Sequence, residues 1–276
     1  DARMKAAKLN KLNLVENDTT ARLSFNLMSN FRGNNLDNAS GIIRLNGGKL
    51  IRNGQELNFN NLRIDAEHIS DTHRITLKSK YVNAKLEGQY KSTTLYRSLK
   101  NLALNYLPVF ADNPEDTSVT KAKNDFKLTI NLNNTRKITD IFFPGIRIED
   151  SSLVKLKYDG KKRAFNLTAE SRRFYLHSYH FNDLRLVSRS IDTAFSLERG
   201  FRNLTLAGTN DKAYLHHFKL RSLTGNNKSK VVVDWKEPGS QSTQGEIIAL
   251  LDLKRSQTTS HVRTNVYFLP TDINIQ

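Results

Sequence analysis

The sequence predicts a mainly β protein: an elongated antiparallel sheet, curled into a trough with an apolar interior, and one helix around residues 92–107. Three observations predict this fold, namely period-two alternation of apolar and polar residues, turn signals between the alternating runs, and one segment with helical spacing. The alternation is clear in ARLSFNL (21–27) and FKLTINL (126–132). Each run places its apolar members on one face of a strand and leaves the other face polar.

Turn signals separate the alternating runs. They are NGG at 46–48, NG at 53–54, DG at 159–160 and TGNN at 224–227. Asparagine, aspartate and glycine readily adopt the left-handed backbone that tight hairpin turns require. These signals therefore predict hairpins and a long series of antiparallel strands.

A six-residue phrase recurs three times in the chain. It reads FNNLRI at 59–64, FNDLRL at 181–186 and, more loosely, FRNLTL at 201–206. In each copy the alternation slips by one residue at the polar pair that follows the first Phe, which is the signature of a β-bulge or a tight corner. A bulge bends and twists a sheet, so three equivalent bends predict one repeated structural unit and a curved sheet.

The segment STTLYRSLKNLALNYLPVF (92–110) breaks the strand pattern and predicts an amphipathic helix. Ser92 or Thr93 is expected to serve as the N-cap, and Pro108 is expected to end the helix. Its apolar stripe has to be buried, so we expect the helix to cover the sheet rather than to act as a hinge. The stripe consists of Leu95, Leu99, Leu102 and Tyr106.

The chain is expected to consist of four successive parts, with the second strand-rich block continuous with the first. They are a β-repeat block (1–91), the amphipathic helix (92–110), a polar loop (111–124) and a second β-repeat block (125–276). A further interruption is predicted in TDIFFPGI (139–146), because Pro144 and Gly145 force a turn after an apolar cluster.

The composition is strongly basic, with 43 Lys and Arg against 27 Asp and Glu and a net charge of +16. Such a balance suits an anionic partner, and it equally suits a large sheet whose solvent face is basic. The basic residues are dispersed rather than gathered in a patch with interleaved aromatics. A nucleic-acid partner is therefore not expected.

The chain contains no cysteine, which excludes disulfides and thiolate chemistry. An extracellular eukaryotic domain of this length would usually contain some cysteine, whereas a bacterial envelope protein need not. The longest plain apolar run is IIALL (247–251). That run is far shorter than the roughly 20 residues that span a bilayer.

The sequence offers no catalytic or metal-binding motif, so neither an enzyme nor a cofactor is predicted. His177 and His180 are expected on opposite faces of a strand, which is a poor arrangement for a shared metal. His68 and His73 flank a predicted turn without a third ligand. No catalytic residue and no metal ligand is therefore assigned.

A sheet with one apolar face has to bury that face. Two such faces meet in a closed sandwich, whereas a curled sheet leaves a groove that lipid acyl chains can fill. Exposing one chain of about 16 carbons to water costs on the order of 12 kcal/mol, at roughly 0.8 kcal/mol per CH₂. The residues predicted to line such a groove, or else to form plain sheet core, are Ile43, Leu45, Phe59, Leu62, Ile64, Phe126, Leu128, Ile130, Phe165, Leu167, Phe181, Leu184 and Leu186.

Most of the chain resembles the middle of TamB-type translocation and assembly module proteins of the AsmA-like superfamily, as found in Bacteroidota. The features that match are degenerate repeats rather than an invariant functional residue. They are the strand, corner and YDG-joined strand pair of 125–170, the preceding repeat at 30–66, the strand VNAKLEGQYK that leads into the helix, and the closing strand VYFLPTDINIQ.

The resemblance implies a large periplasmic protein, anchored in the inner membrane by an N-terminal helix that lies outside this chain. The fold would be a taco-shaped β-sheet with an apolar interior. The family is implicated in moving phospholipid between the inner and outer membranes, so the acyl chains of phospholipids would be the cargo. It is also linked to outer-membrane protein assembly with a BamA-like barrel, which regions outside this chain would contact.

Three functions follow as hypotheses. The first is a segment of a bridge-like lipid transfer protein that conducts phospholipid through an apolar β-groove. The second is a chaperone or scaffold for outer-membrane proteins, which would guide strands by pairing them with an exposed sheet edge. The third is an adhesin-like β-domain with a closed core.

Overall fold

One antiparallel sheet dominates the computed structural model. The described residues are 1–8, 21–33, 37–52, 54–110, 124–133, 135–148, 152–191, 193–206, 213–236, 243–255 and 262–275. The strands are β1 (Ala2–Lys8), β2 (Arg22–Arg32), β3 (Ser40–Arg52), β4 (Gln55–Phe59), β5 (Leu62–Ile69), β6 (Thr72–Lys78), β7 (Val82–Gln89), β8 (Asp125–Leu132), β9 (Ile146–Ile148), β10 (Ser152–Asp159), β11 (Ala164–Leu176), β12 (Tyr179–Ile191), β13 (Ala194–Leu206), β14 (Ala213–Gly225), β15 (Lys228–Lys236), β16 (Thr243–Arg255), β17 (Val262–Phe268) and β18 (Asp272–Ile275). The helices are α1 (Ser92–Tyr106), a 3₁₀ turn (Pro108–Phe110) and α2 (Arg136–Phe142).

The strands follow one another as an antiparallel meander. β4 and β5 both pair with β3 and act as one interrupted strand. β8 pairs with β7 on one side and with β10 on the other, so α2 and β9 lie outside this ladder, and β9 joins β11 instead. Within the described residues β1 lies at one edge and β17 and β18, which share β16, lie at the other. The sheet is open, and the predicted mainly β, antiparallel fold class is confirmed.

The strand register aligns apolar side chains in rows across neighbouring strands. Leu128 on β8 pairs with Leu86 on β7 and with Leu156 on β10, and Leu156 pairs with Leu167 on β11. Because side chains alternate along each strand, the residues in register with Leu128 share one face. We call this face, defined by the row through Leu128, the apolar face, and the opposite one the polar face.

The repeated phrases form kinks in the strands. Asn61, between β4 and β5, has a φ of 57°, and Asp183 within β12 has a φ of 53°. Left-handed backbone reverses the alternation locally, and asparagine and aspartate tolerate it better than other side chains. The slips predicted from the first two phrases are therefore confirmed at these positions.

Neighbouring strands kink together, which a single bulge would not produce. Arg173 on β11 pairs with Asn182 on β12, Asn182 pairs with Asn203 on β13, and Asn203 pairs with His216 on β14. The β11–β12 register and the β12–β13 register are the same before and after these paired residues. Each of the three strands therefore shifts its alternation of side chains by the same amount at this point. The β13–β14 register, by contrast, shifts between Leu204 and Thr205, so the irregularity expected at the third phrase is present there. Of the two expected forms, the tight corner describes the kink that β11, β12 and β13 share, and the β-bulge describes the β13–β14 pair.

The predicted turn at NGG (46–48) is wrong. β3 runs through these residues, and Gly47 has a φ of 60° opposite the kink at Asn61. A Cβ added at Gly48 would lie 2.0 Å from the ring of Phe59, so only glycine lets that ring lie across β3. The glycines allow a kink inside one long strand rather than a reversal of the chain.

The other turn signals give hairpins. Gly225 pairs with Lys228, and the two residues between them, Asn226 and Asn227, have φ values of 48° and 61° as a type I′ turn requires. DG (159–160) opens the β10–β11 hairpin. In the NG signal, Gly54 lies in the β3–β4 turn, whereas Asn53 lies outside the described residues.

Helix α1 packs on the apolar face with its predicted stripe. Leu102 and Tyr106 are buried there, and Leu95 and Leu99 pack against the same cluster. The cluster joins α1 to β7, β8, β10, β11 and β13, so the prediction that the helix covers the sheet is confirmed. Helix α1 is about 22 Å long, close to the roughly 24 Å across the strands from β8 to β14, which matches a helix lying across the strands.

The start of α1 is fixed by residues distant in sequence, and the predicted Ser92 or Thr93 N-cap is wrong. The Ser92 N–H and hydroxyl both donate to Asp37 Oδ1, each at 2.5 Å. These bonds, the hydroxyl bond above all, hold the pKa of Asp37 below its usual value. Asn124 Oδ1 accepts from the Lys91 N–H at 3.0 Å, and Asn124 Nδ2 donates to Ser98 Oγ at 2.7 Å.

Asn124 was predicted to belong to the polar loop 111–124, but it is only 2% exposed and binds α1. Residues 111–123 of that loop lie outside the described residues. Helix α2 was not predicted, since its two turns are too short to show a helical period. Its Ile138 and Ile141 pack on the apolar face beside β4. The predicted turn after it is present, and Gly145 has a φ of 92°.

Candidate functional site

The apolar face holds the residues predicted to line a groove. On its first strands Ile43 pairs with Ile64 and Leu45 pairs with Leu62. Their neighbour Phe59 continues the same face beyond the kink. These side chains are all half-buried in an open sheet.

The centre of the apolar face is formed by β8, β10 and β11. Phe126, Leu128 and Ile130 pair across β8–β10 with apolar partners, which are Tyr158, Leu156 and Val154. Phe165 and Leu167 on β11 pair with Tyr158 and Leu156 and so extend the same rows. Three adjacent strands thus contribute a continuous apolar surface.

The far side of the face contains an aromatic row at the kinks. Phe181 lies beside Phe174 and Phe201, with ring centroids 5.9 Å and 5.3 Å apart. Phe201 stacks on Phe218 at 4.7 Å with an interplanar angle of 9°. Leu184 and Leu186 follow Phe181 along β12, and both are half-buried. The kink thus keeps the apolar face continuous although the alternation slips.

The helices divide the predicted residues into two groups. Phe126, Leu128 and Phe165 pack against the cluster under α1, and Phe59 packs against the cluster under α2. These four are intramolecular core, and Phe126 is only 1% exposed. The others lie outside both clusters on the half-buried part of the face, and they are Ile43, Leu45, Leu62, Ile64, Ile130, Leu167, Phe181, Leu184 and Leu186.

Several residues of the apolar face were missed by the sequence reasoning. Leu220 on β14 pairs with Val233 on β15, and Val233 pairs with Ile247 on β16, so the rows continue far beyond β12. Alternation in KVVVDW (230–235) is masked by a continuous apolar run, which periodicity alone does not resolve. The register of the neighbouring strands would be needed to assign its faces.

Arg199 is a charged residue on the apolar face. It pairs with Leu186 on β12 and with Leu220 on β14, and its guanidinium lies 5.6 Å from the centre of the Phe181 ring. Stacking on an aromatic ring stabilises a guanidinium in such surroundings. The face therefore contains a cation as well as hydrocarbon.

The polar face is covered by ion pairs between neighbouring strands. Arg74 on β6 bonds Glu67 on β5 at 3.1 Å and Glu87 on β7 at 3.4 Å. Arg63 holds Asp65 at 2.6 Å, and its hydrogen bonds keep the pKa of Asp65 below the usual value. Exposed pairs of this kind add at most about 1 kcal/mol each. Their main consequence is that the charged side chains of this face have partners while the face is in contact with water.

The buried tyrosines of the cluster between α1 and the sheet give the stability of the fold a pH dependence. The Tyr90 hydroxyl is buried, and within the described residues it has no hydrogen-bond partner. Burial raises the pKa of Tyr90 to about 12, and it also raises the pKa of Tyr106 and Tyr158. The raised pKa means that the folded state favours the neutral phenol. The resulting contribution to the free energy of unfolding is present below about pH 10 and is lost as the pH rises towards 12.

We expect Tyr90→Phe to be neutral or stabilising by up to about 1 kcal/mol near neutral pH, because it removes a buried hydroxyl that makes no hydrogen bond. The variant should also lose less stability than the wild type between about pH 10 and pH 12. Urea unfolding at several pH values measures both effects. Tyr267→Phe, at an exposed tyrosine, is the control and should change neither. A loss above about 1 kcal/mol in Tyr90→Phe would show that the hydroxyl is bonded.

The histidines that the structure describes do not form a metal site. His177 lies in the turn between β11 and β12 with a φ of 52°, so the expectation that it shares a strand with His180 is wrong. His68 and His73 flank their turn as predicted, with their Nδ1 atoms 3.0 Å apart. Across the described residues no three His, Cys, Asp or Glu side chains are close enough to hold a metal ion. In the same residues no helix is long and apolar enough to cross a bilayer.

Comparisons with known proteins do not extend these observations. No family model matches the chain, and neither curated proteins nor solved structures give a match.

Proposed function

We propose that the chain is a segment of a TamB-type bridge that conducts phospholipid acyl chains between the inner and outer membranes along its apolar face. The single observation that supports this most is the open sheet whose apolar face remains half-exposed away from the two helices. A soluble monomer rarely leaves so large an apolar surface without an occupant. Acyl chains would remove this surface from water without any catalytic group.

The dimensions of the face suit a chain of lipids. Thirteen successive ladder strands from β2 to β16 lie about 4.8 Å apart, so the rows extend about 58 Å across the sheet. An acyl chain spans about half of the roughly 30 Å hydrocarbon core of a bilayer. The face could therefore hold several acyl chains one after another, and each step along it would exchange equivalent apolar contacts at little cost.

The test of this proposal compares adjacent residues on opposite faces of β11. Leu167→Asp places a charge on the apolar face, whereas Thr168→Asp places the same charge on the polar face beside Lys155. We expect purified wild type and Thr168→Asp to contain phospholipid on extraction and native mass spectrometry. Leu167→Asp should lose most of it yet unfold cooperatively in urea, because the charge is desolvated only when lipid covers it.

Ile64→Asp and Leu184→Asp repeat this test on β5 and β12, where the side chains are also half-buried. The bridge predicts lost lipid with retained folding at all three positions. A lipid-free wild type together with unfolding of every apolar-face variant would refute the bridge and indicate a closed core.

An exposed sheet edge favours the second candidate, a scaffold for outer-membrane protein assembly with a BamA-like barrel. β17 has β16 as its strand partner, and its Val266, Tyr267 and Phe268 are 46%, 56% and 72% exposed. Unpaired edges with apolar side chains add further strands readily. Crosslinking from position 268 to an extended outer-membrane peptide would support the scaffold, and lipid content would be unaffected.

A further inference from the structure

A polar cavity of about 530 Å³ opens beside the first kink, away from the apolar rows. It lies between the kink that joins β4 to β5, the turn that joins β6 to β7, and α2. Its lining residues are Asn58, Asn60, Asn61, Lys78, Ser79, Lys80, Tyr81, Asn83 and Lys137. The lining therefore contains three ammonium groups and four carboxamides but no carboxylate.

The walls of the cavity are held by hydrogen bonds within the chain. Ser79 Oγ donates to the Val82 carbonyl at 2.8 Å and accepts from the Val82 N–H at 2.9 Å, which fixes the β6–β7 turn. The Tyr81 hydroxyl donates to the Asn58 carbonyl at 2.9 Å and ties this turn to β4. Tyr81 itself is buried in the cluster beneath α2. The cavity is thus bounded by ordered backbone rather than by mobile side chains alone.

The nearby carboxylates are paired with other cations. Glu56 binds Lys49 at 2.6 Å, and Asp65 binds Arg63 at 2.6 Å. In the described part of the chain none of the three lysines of the cavity forms an ion pair. Lys137 and Lys78 interact with Glu56 and Asp65 only over a longer range, and the lining itself contains no carboxylate, so an anion in the concavity would meet three ammonium groups.

We infer that this cavity binds a phosphate ester of a compound that also carries hydroxyl groups. The three lysines would supply charge-assisted hydrogen bonds to the phosphate oxygens, and the asparagine carboxamides can both donate to and accept from hydroxyl groups. A bare phosphate would leave most of the cavity unfilled, whereas a phosphorylated sugar or a phosphoglycerol fills more of it and uses its excess of donors. The ligand is either a soluble phosphate ester or the headgroup of a phospholipid, and both share this chemistry.

Isothermal titration calorimetry with glucose 6-phosphate tests the site, with glucose as the uncharged control. We expect saturable binding of the phosphate ester alone, and binding about tenfold weaker or more in Lys78→Gln and in Lys137→Gln. Lys157→Gln is the matched control, because Lys157 is an exposed lysine on β10 outside the cavity. It should bind like the wild type.

A short-chain phosphatidylglycerol, used below its micellar concentration, separates the two sources. Tighter binding than glucose 6-phosphate, weakened by Lys137→Gln and by Ile64→Asp, whose site pairs with Leu77 next to the cavity, would assign the site to a lipid headgroup. Binding of glucose 6-phosphate that is equal to or tighter than that of the lipid would assign it to a soluble ester, whatever the outcome for lipid transport. Equal weakening by Lys157→Gln and Lys137→Gln, or no saturable binding of either ligand, would overturn the inference.

Discussion

We expect Phe126→Ala to lower the free energy of unfolding by about 3 to 5 kcal/mol, because it empties the centre of the cluster that joins α1 to the sheet. Phe126 is 1% exposed, and its ring lies 5.4 Å from that of Tyr158 and 6.3 Å from that of Tyr90. Neither helix nor sheet can collapse into the space without breaking the other contacts of the cluster. Urea unfolding followed by circular dichroism measures the loss.

Phe268→Ala is the matched control, since the same truncation is made where the side chain is 72% exposed. It should change stability by no more than about 0.5 kcal/mol. A loss below about 1 kcal/mol in Phe126→Ala would show that α1 is not packed on the sheet in solution. Hydrogen exchange of the α1 amides distinguishes undocking of the helix from global unfolding.

The second large effect is expected at the start of α1. Asn124→Ala should cost about 2 to 4 kcal/mol, because it leaves the part-buried Lys91 N–H and the buried Ser98 hydroxyl without their partner. Asn124 Nδ2 also donates to Thr94 Oγ1 at 3.2 Å. One side chain thus forms hydrogen bonds with three residues at the start of α1. Urea unfolding gives the cost, and hydrogen exchange should show the first turns of α1 opening first.

Asn131→Ala is the control for this substitution, because Asn131 is an exposed residue on β8, the strand that follows Asn124. It should be neutral within about 0.5 kcal/mol. Asn124→Asp keeps the acceptor but loses the donor to Ser98, so an intermediate loss is expected. Equal stability of Asn124→Ala and wild type would contradict the tertiary capping of α1.

In the proposed bridge, α1 lies on the same face as the lipid. The helix covers the end of the apolar rows that contains Phe126, Tyr158 and Phe165, while Leu167, Leu184 and Leu186 lie outside its cluster. It therefore narrows the groove from one side rather than closing the sheet. The lysine-lined cavity lies beside the kink at Asn61, beyond the open part of the groove.

The alternation in the sequence was sufficient to predict strands, their apolar face and part of the residues on it, because a period of two fixes the side of a strand on which each residue lies. The stripe of Leu95, Leu99, Leu102 and Tyr106 was sufficient for α1, since a helical period can be recognised over four turns. Short elements were not predictable in this way. Helix α2 and the kink at Gly47 are too brief to show a period.

The sequence by itself determined which apolar residues share one face of a strand or helix. It thereby determined an antiparallel sheet with one apolar and one polar face, covered by one helix. The tertiary structure alone decided which of these residues are sealed as core under α1 and α2 and which stay half-exposed. It also decided that Asp37 and Asn124 cap α1 and that neighbouring strands kink in step. These features depend on the pairing of strands and on contacts between residues far apart in the chain. Local periodicity contains no information about such contacts, because it records only the orientation of each side chain relative to its own strand or helix.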